Sequence, residues 1–448
     1  MYRNFKHIIY VICFFCWSNV SFSQSEFKLT NKATKQVVSF KLINNLIIFP
    51  IEVNGKELNF ILDSGVGATI LFNINTKDSL QLNNVKKIKL KGLGSEEAID
   101  AILSKNNRFS FKNIVSQNQN LYVVFDDSFD LSSKLGLTIH GIIGYEILKD
   151  FVIKINYNLK KITFYKPETY NYKKCKKCET FNLELFKLKP YINIGAKLDS
   201  LTNEITPVKL LIDSGGSDAM WLFENTHPNI VVPKKFFIDF LGEGLSGTIH
   251  GKRAFIKGLV LGKFELRNPT VSFPDSISIA NALKFKERNG SIGASILNRF
   301  IVIFDYKNEK LTLRKGTSFS EPFRYNMSGI ELAYNGKLLV KEQDYSNIVL
   351  SNKEEGVEQS NVVLNYNYKY TFKPTYKIFK LREGSPAYRA GLQENDIVIK
   401  INGKYTYNLK LEEIVEKFYQ KEHKKIKLVI ERNGKDYEYQ FELENMLK

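Results

Sequence analysis

The sequence is poor in the residues that most metal and redox chemistry uses. Its 448 residues include four cysteines, five histidines, four methionines and two tryptophans. His7 lies in the N-terminal leader, and His140, His227, His250 and His423 are too dispersed for a metal site to be expected. Cys13 and Cys16 share the leader, which leaves Cys175 and Cys178 in KKCKKCET. One CxxC with no second pair and no nearby histidine does not make a zinc site. A redox role would want that pair at a helix start in a βαβ setting, which the pattern lacks. A local disulfide between Cys175 and Cys178 is expected instead, in an oxidising compartment. There is no Gly-x-Ser-x-Gly elbow, so a serine hydrolase of that kind has no support. GVGATI and GLGSEE lack the third glycine of a dinucleotide loop. No metal and no cofactor are expected.

Acidic residues are also in deficit, 47 against 65 Lys and Arg, for a formal charge of +18. A basic surface for nucleic acid or anionic membrane is one reading. Lysines spread over every face is the other. The lysines are scattered, with no Arg-rich block, so the second is favoured and no nucleic-acid partner is expected. The first residues, MYRNFKHIIYVICFFCWSNVSFSQ, have a basic start, an apolar stretch from Ile8 to Trp17 and small polar residues up to Ser23. That is the pattern of a secretory signal peptide over 1–23, too short for a membrane span. Bulky Phe14 and Phe15 weaken a lipoprotein reading at Cys16. Removing Arg3 and Lys6 with the leader leaves +16. No later run is long enough to span a bilayer, so a periplasmic or extracellular monomer is expected.

What the chain does have is repetition. IIFPIEVNGKELNFILDSGVGATILF is echoed by YINIGAKLDSLTNEITPVKLLIDSGGSDAMWLF, and Asp63 and Asp213 end the two apolar strands 150 residues apart. Asn54-Gly55 is a strong hairpin signal. Twenty-nine residues beyond each Asp comes a glycine turn, Gly92 in KGLGSEE and Gly242 in LGEGLSG. Farther on, GIIGYEIL from Gly141 matches GSIGASIL from Gly290. Three landmarks in matched order indicate an internal duplication, with lobes at 24–170 and 181–318 and a linker at 171–180.

A twofold relation between the lobes would bring Asp63 and Asp213 together. Two carboxylates in contact cannot both ionise cheaply, so the pair holds one proton. One is then a base and the other an acid at the same pH, able to activate a water against a carbonyl. Gly65 and Gly215 would permit the sharp turns, and Ser64 and Ser214 would bond across the axis. A single Asp-Ser-Gly is ordinary turn chemistry; two copies in a duplicated frame are not.

With these motifs in place, residues 40–318 resemble a retroviral-type aspartic protease fused as two lobes in one chain. The resemblance implies a mostly β, two-lobed acid-protease barrel fold with pseudo-twofold symmetry. It implies Asp63 and Asp213 as catalytic, with Ser64, Gly65, Ser214 and Gly215 supporting the loops. It places flap tips at Gly92–Gly94 and Gly242–Gly244. Two departures stand out. Val66 and Gly216 replace the small or hydroxyl residue usual after the glycine, and neither flap turn carries a tyrosine.

Residues 319–448 differ in pattern. GSPAYRAGLQENDIVIKINGK opens a short helix at Pro386, ends it at Gly391-Leu392, and continues into a strand and an Asn402-Gly403 turn. Leu409–Phe418 reads as an amphipathic helix, and a polar insertion runs over about 341–373. This segment resembles a PDZ domain, an α+β fold that binds a peptide C-terminus as an added strand. Gly329, Ile330, Glu331 and Leu332 are the expected peptide-binding residues; a domain that only packs on the lobes is the alternative. The function expected is peptide-bond hydrolysis by the Asp63/Asp213 pair acting on a polypeptide substrate. Two rivals are a non-catalytic peptide-binding scaffold that keeps the protease fold and a basic adhesion protein.

Overall fold

The computed structural model describes residues 26–447 apart from 74–79, 95–97, 126–129, 173, 200–202 and 345–366. The expected leader over 1–23 and the middle of the insertion lie outside the described residues. Among those described, no helix is long and apolar enough to cross a membrane.

Two sheets repeat one topology. In the first, Leu46–Val53 and Lys56–Leu62 form a hairpin with Ile48 opposite Ile61 and Ile51 opposite Leu58. Its turn needs two residues at positive φ, and Asn54 (49°) and Gly55 (88°) supply them. Gly141–Ile143 then lies parallel to Phe60–Leu62 and antiparallel to Ile70–Leu71. In the second sheet, Lys189–Lys197 and Thr206–Ile212 form the hairpin. Gly290–Ile292 lies parallel to Leu210–Ile212 and antiparallel to Met220–Leu222. In each copy the Asp-Ser-Gly turn leaves the buried C-terminal end of a strand, where Phe60–Leu62 and Leu210–Ile212 are apolar on both faces.

A third sheet joins the copies. Val152–Asn156 pairs antiparallel with Phe300–Asp305, flanked by Lys161–Tyr165 on one side and Lys310–Lys315 on the other. Lys35–Ser39 and Cys178–Asn182 form its edges. The expected linker therefore ends inside a sheet, at a turn closed by a Cys175–Cys178 disulfide. One apolar cluster is continuous through both halves, from Phe49, Phe60 and Ile143 to Leu210, Ile292 and Val302.

The C-terminal sheet is built from Ile330–Asp344, Asn367–Leu381, Ile397–Ile401, Lys425–Arg432 and Lys435–Glu442. It has its own core around Ile378, Val398, Ile414 and Phe418. Ser385 caps the Pro386–Arg389 helix by accepting from Tyr388 N at 3.3 Å. The expected Leu409–Phe418 helix is shorter, Leu411–Val415, and tightens into a 3-10 turn at Glu416–Tyr419. The flanks of the insertion are the arms of one long hairpin, paired out to Asp344 opposite Asn367.

Candidate active site

Each Asp-Ser-Gly turn is fixed by its own copy. Asp63 N donates to Ile143 O and Asp213 N to Ile292 O, both at 2.9 Å. Gly144 and Gly293 lie against the back of the turns, where a side chain on either would strike backbone oxygens of Asp63 or Asp218. Gly65 N donates to Asp63 Oδ1 at 2.7 Å. Asp213 Oδ1 receives two such bonds, from Gly215 N and Gly216 N, each 3.0 Å. The residue after the second glycine thus contributes through its backbone, and the two turns are not equivalent.

The serines cross the axis. Ser64 Oγ donates to Ile212 O at 2.7 Å and accepts from Ser214 N at 3.0 Å. Ser214 Oγ donates to Leu62 O at 2.8 Å and accepts from Ser64 N at 3.0 Å. Both are buried, so four polar groups at the lobe boundary are satisfied reciprocally.

This brings the carboxyls together. A methyl group built on Gly65 would lie 3.0 Å from Asp213 Oδ1 and 3.1 Å from Asp63 Oδ1. Those oxygens cannot be farther apart than the two lengths laid end to end, about 6 Å. A methyl built on Gly215 would in turn strike the Asp63 carboxyl. Both residues keep partial exposure toward the cleft, yet they sit deep between the lobes. Burial, and next the charge of Asp213, push the Asp63 carboxyl up to about 8.

Two turns, one from each copy, meet each other. Ser246 N donates to Leu93 O at 2.9 Å, and Gly92 N donates to Ser246 Oγ at 3.1 Å. Leu93 packs on the Phe223, Ile279 and Ala282 cluster of the second copy, and Leu245 packs on the Leu46, Ile48 and Phe72 cluster of the first. The second tip is therefore Leu245–Ser246, not Gly242–Gly244. Gly242 instead stands, at φ 137°, at the register shift after Phe240. Sequence reasoning missed Ser246, whose role depends on the opposing tip rather than on local pattern.

The C-terminal domain packs against this second flap. Phe237 enters its core beside Tyr325, ring centroids 5.1 Å apart. Asp239 bonds Arg253 at 2.9 Å and Arg382 at 3.3 Å, and Arg253 also reaches Asp218 at 3.0 Å. Lys134, on the Leu131–Leu135 helix, pairs with Glu243 and sits 4.5 Å over the Phe379 ring. That helix lies along Ile330–Asp344, and a methyl on Gly136 would be 3.1 Å from Leu411 Cβ.

The expected peptide-binding residues are consequently not an open groove here. Ile330 and Leu332 are core residues, and Gly329 abuts Ser385. Glu331 is enclosed near Asp239, Arg253 and Arg382, and burial pushes it up to about 7. The correction has a tertiary cause, since packing against the lobes covers a segment whose local pattern is that of a strand entry. Among the described residues, no three His, Cys, Asp or Glu side chains gather as a metal would require.

Residues 49–147 match the family model of an aspartyl protease, spanning Asp63-Ser64-Gly65 and the Gly141–Gly144 segment. Residues 380–432 match that of a PDZ domain. The chain carries both domains. No curated protein matches it. The second copy lies outside the matched span, so its likeness to the first rests on repeated topology and repeated turn geometry.

Proposed function

We propose that this chain is an aspartic endopeptidase, secreted or periplasmic, in which Asp63 and Asp213 activate a water against a peptide carbonyl. The observation that carries the reading is the pair of aspartate carboxyls brought within about 6 Å of each other across an axis that buried serines lock from both sides. Asp213 accepts two backbone N–H bonds against one for Asp63. Hydrogen bonds to a carboxylate favour its ionised form, which assigns the shared proton to Asp63. Asp213 then serves as the base that takes a proton from water. Asp63 serves as the acid that donates to the carbonyl oxygen as the tetrahedral centre forms. Such proton transfers contribute roughly 10²–10⁴-fold each. The closed turns must part for a polypeptide to enter. The PDZ domain, packed on one of them, serves as recruiter or regulator.

The test is hydrolysis of an unfolded protein such as casein by purified protein, wild type against Asp63→Asn and Asp213→Asn. Either substitution should abolish cleavage while leaving Trp221 fluorescence unchanged. Cleavage by both variants at the wild-type rate would refute the assignment. A folded wild type that binds a pepstatin-type inhibitor but never cleaves would favour the non-catalytic scaffold.

A further inference from the structure

The two copies share a frame but not a lining. In the first hairpin Ile48 lies opposite Ile61; continuing that antiparallel register by two residues sets Leu46 opposite Asp63. In the second, Tyr191 lies opposite Leu211, and the same step sets Lys189 opposite Asp213. Residues opposite each other on an antiparallel pair project to the same face, with Cβ atoms roughly 4.5–5.5 Å apart. Both hairpin turns also abut the partner copy's loop. Leu188 Cβ is 3.3 Å from a methyl built on Gly67, and Asn45 Nδ2 donates to Ser217 O at 3.1 Å. Leu46 and Lys189 thus hold corresponding places on the two sides of the dyad.

Their neighbours diverge in the same way. Leu46 and Ile48 belong to an apolar cluster with Ile139. Their counterparts are Lys189, Tyr191 and Arg288, counting back from the matched glycines Gly141 and Gly290. Arg288 is only 4% exposed. Its Nε donates to Gly290 O at 3.0 Å, and its guanidinium lies 5.0 Å over Phe223 and 6.0 Å from the Tyr191 ring centroid. Lys189 feels the charges of both Asp63 and Asp213, and burial lowers its affinity for a proton. Among the described residues, neither cation has a carboxylate at ion-pair distance, whereas the outer-facing Lys209 has Glu184. Arg288 is buried and Lys189 partly so; the single negative charge of the dyad can answer only one of these two cations, which leaves a place for a second anion.

We infer that Lys189, backed by Arg288, forms an anion-accepting subsite on the second-copy side of the dyad, so that the substrate carries an acidic side chain next to the scissile bond and an apolar one across it. The inference rests on the dyad reading above and adds the substrate class. A substrate carboxylate would form with Lys189 the charge-assisted contact that the fold itself leaves unmade, and Leu46 and Ile48 would take the apolar neighbour.

The test uses the full chain and non-cleavable hydroxyethylene peptides bearing Leu–Leu, Glu–Leu, Leu–Glu, Gln–Leu or Leu–Gln at the central positions, with affinities by calorimetry. One glutamate compound should bind at least tenfold tighter than its glutamine isostere. Lys189→Met, which keeps the aliphatic stem, should erase that advantage and leave Leu–Leu binding within twofold. Equal binding of glutamate and glutamine compounds by wild type would overturn the proposal, with no variant needed. An advantage that survives Lys189→Met, or an equal loss for all five compounds, would overturn it too, the latter assigning Lys189 to the dyad alone. If no compound binds, Leu–Leu included, the endopeptidase reading falls with it. If Leu–Leu binds without an acidic preference, only the subsite falls.

Discussion

Removing one serine hydroxyl should cost far more than an ordinary Ser→Ala change. Ser64→Ala takes away the donor to Ile212 O (2.7 Å) and the acceptor for Ser214 N (3.0 Å). Both backbone groups stay buried and lose their partner. Each unsatisfied group costs about 1–3 kcal/mol, so the single change should destabilise by about 2–6 kcal/mol. Ser214→Ala strands a different pair, Ser64 N and Leu62 O, and should cost about the same. Because the two serines share one hydrogen-bonded network, the double variant should depart from the sum of the singles by about 0.5–3 kcal/mol. The lobes meet here, so the loss should fall on the transition that separates them. Trp221 is the only tryptophan besides Trp17 and lies on the strand paired with Gly290–Ile292. Urea unfolding followed by its fluorescence reads that transition, and activity lost in kcat before KM would show the dyad moving. Shifts under about 0.5 kcal/mol for both singles, below even one ordinary hydrogen bond, would refute the locking role. A double variant equal to the sum of the singles would refute the coupling of the two serines.

Three further outcomes follow from the same geometry. A methyl at Gly215 would collide with the Asp63 carboxyl, whereas one at Gly65 would sit 3.0 Å from Asp213 Cγ; Gly215→Ala should therefore abolish turnover, and Gly65→Ala should keep a measurable fraction of kcat/KM. Lys134→Met removes the ion pair with Glu243 and the contact with Phe379; hydrogen exchange should speed up at Leu241–Thr248 and stay unchanged at Ile192–Ala196. Asp63 is raised from 3.8 to about 8 in the folded chain, so its contribution to stability is full below about pH 4 and is lost as pH rises through 8; Asp63→Asn should gain stability over wild type progressively between pH 5 and 9 in urea titrations, and a gain that shrinks with pH would contradict the shift.

Much of the dyad was legible because it rests on local pattern repeated in order. Three apolar residues before each Asp made a buried strand, and Asn54-Gly55 fixed the first hairpin. Lys187-Leu188, the counterpart of Asn44-Asn45 in the first copy, makes a turn at positive φ, 48° and 66°, from residues that carry no turn signal; tertiary contact with Gly67 holds it. Lys189 was missed for the same reason, since its place opposite Asp213 depends on a register that the longer second hairpin hides. The flap glycines were read as tips because glycine permits sharp turns, but Gly242 serves the register shift and the tip is made by contact with the other copy. The C-terminal strand at Ile330 was visible, while its enclosure by Asp239 and Arg382 came from segments about 90 and 50 residues away in sequence.

Fusing two copies into one chain frees them to differ, and here they do. Asp213 gains a second backbone donor at Gly216, and the second copy carries Lys189 where the first has Leu46. Asp63 faces Leu46 and keeps a single donor. A symmetric pair of turns would leave the proton undecided between two equal sites, and the second backbone donor moves it to Asp63. Asparagine at 63 imitates the protonated acid, while asparagine at 213 deletes the charge that the two N–H groups hold. Asp63→Asn should therefore bind the hydroxyethylene peptides within about threefold of wild type although it cannot cleave. Asp213→Asn should lose at least tenfold, about 1.4 kcal/mol. Equal losses in the two variants would mean that the copies, for all their divergence, still share the proton evenly.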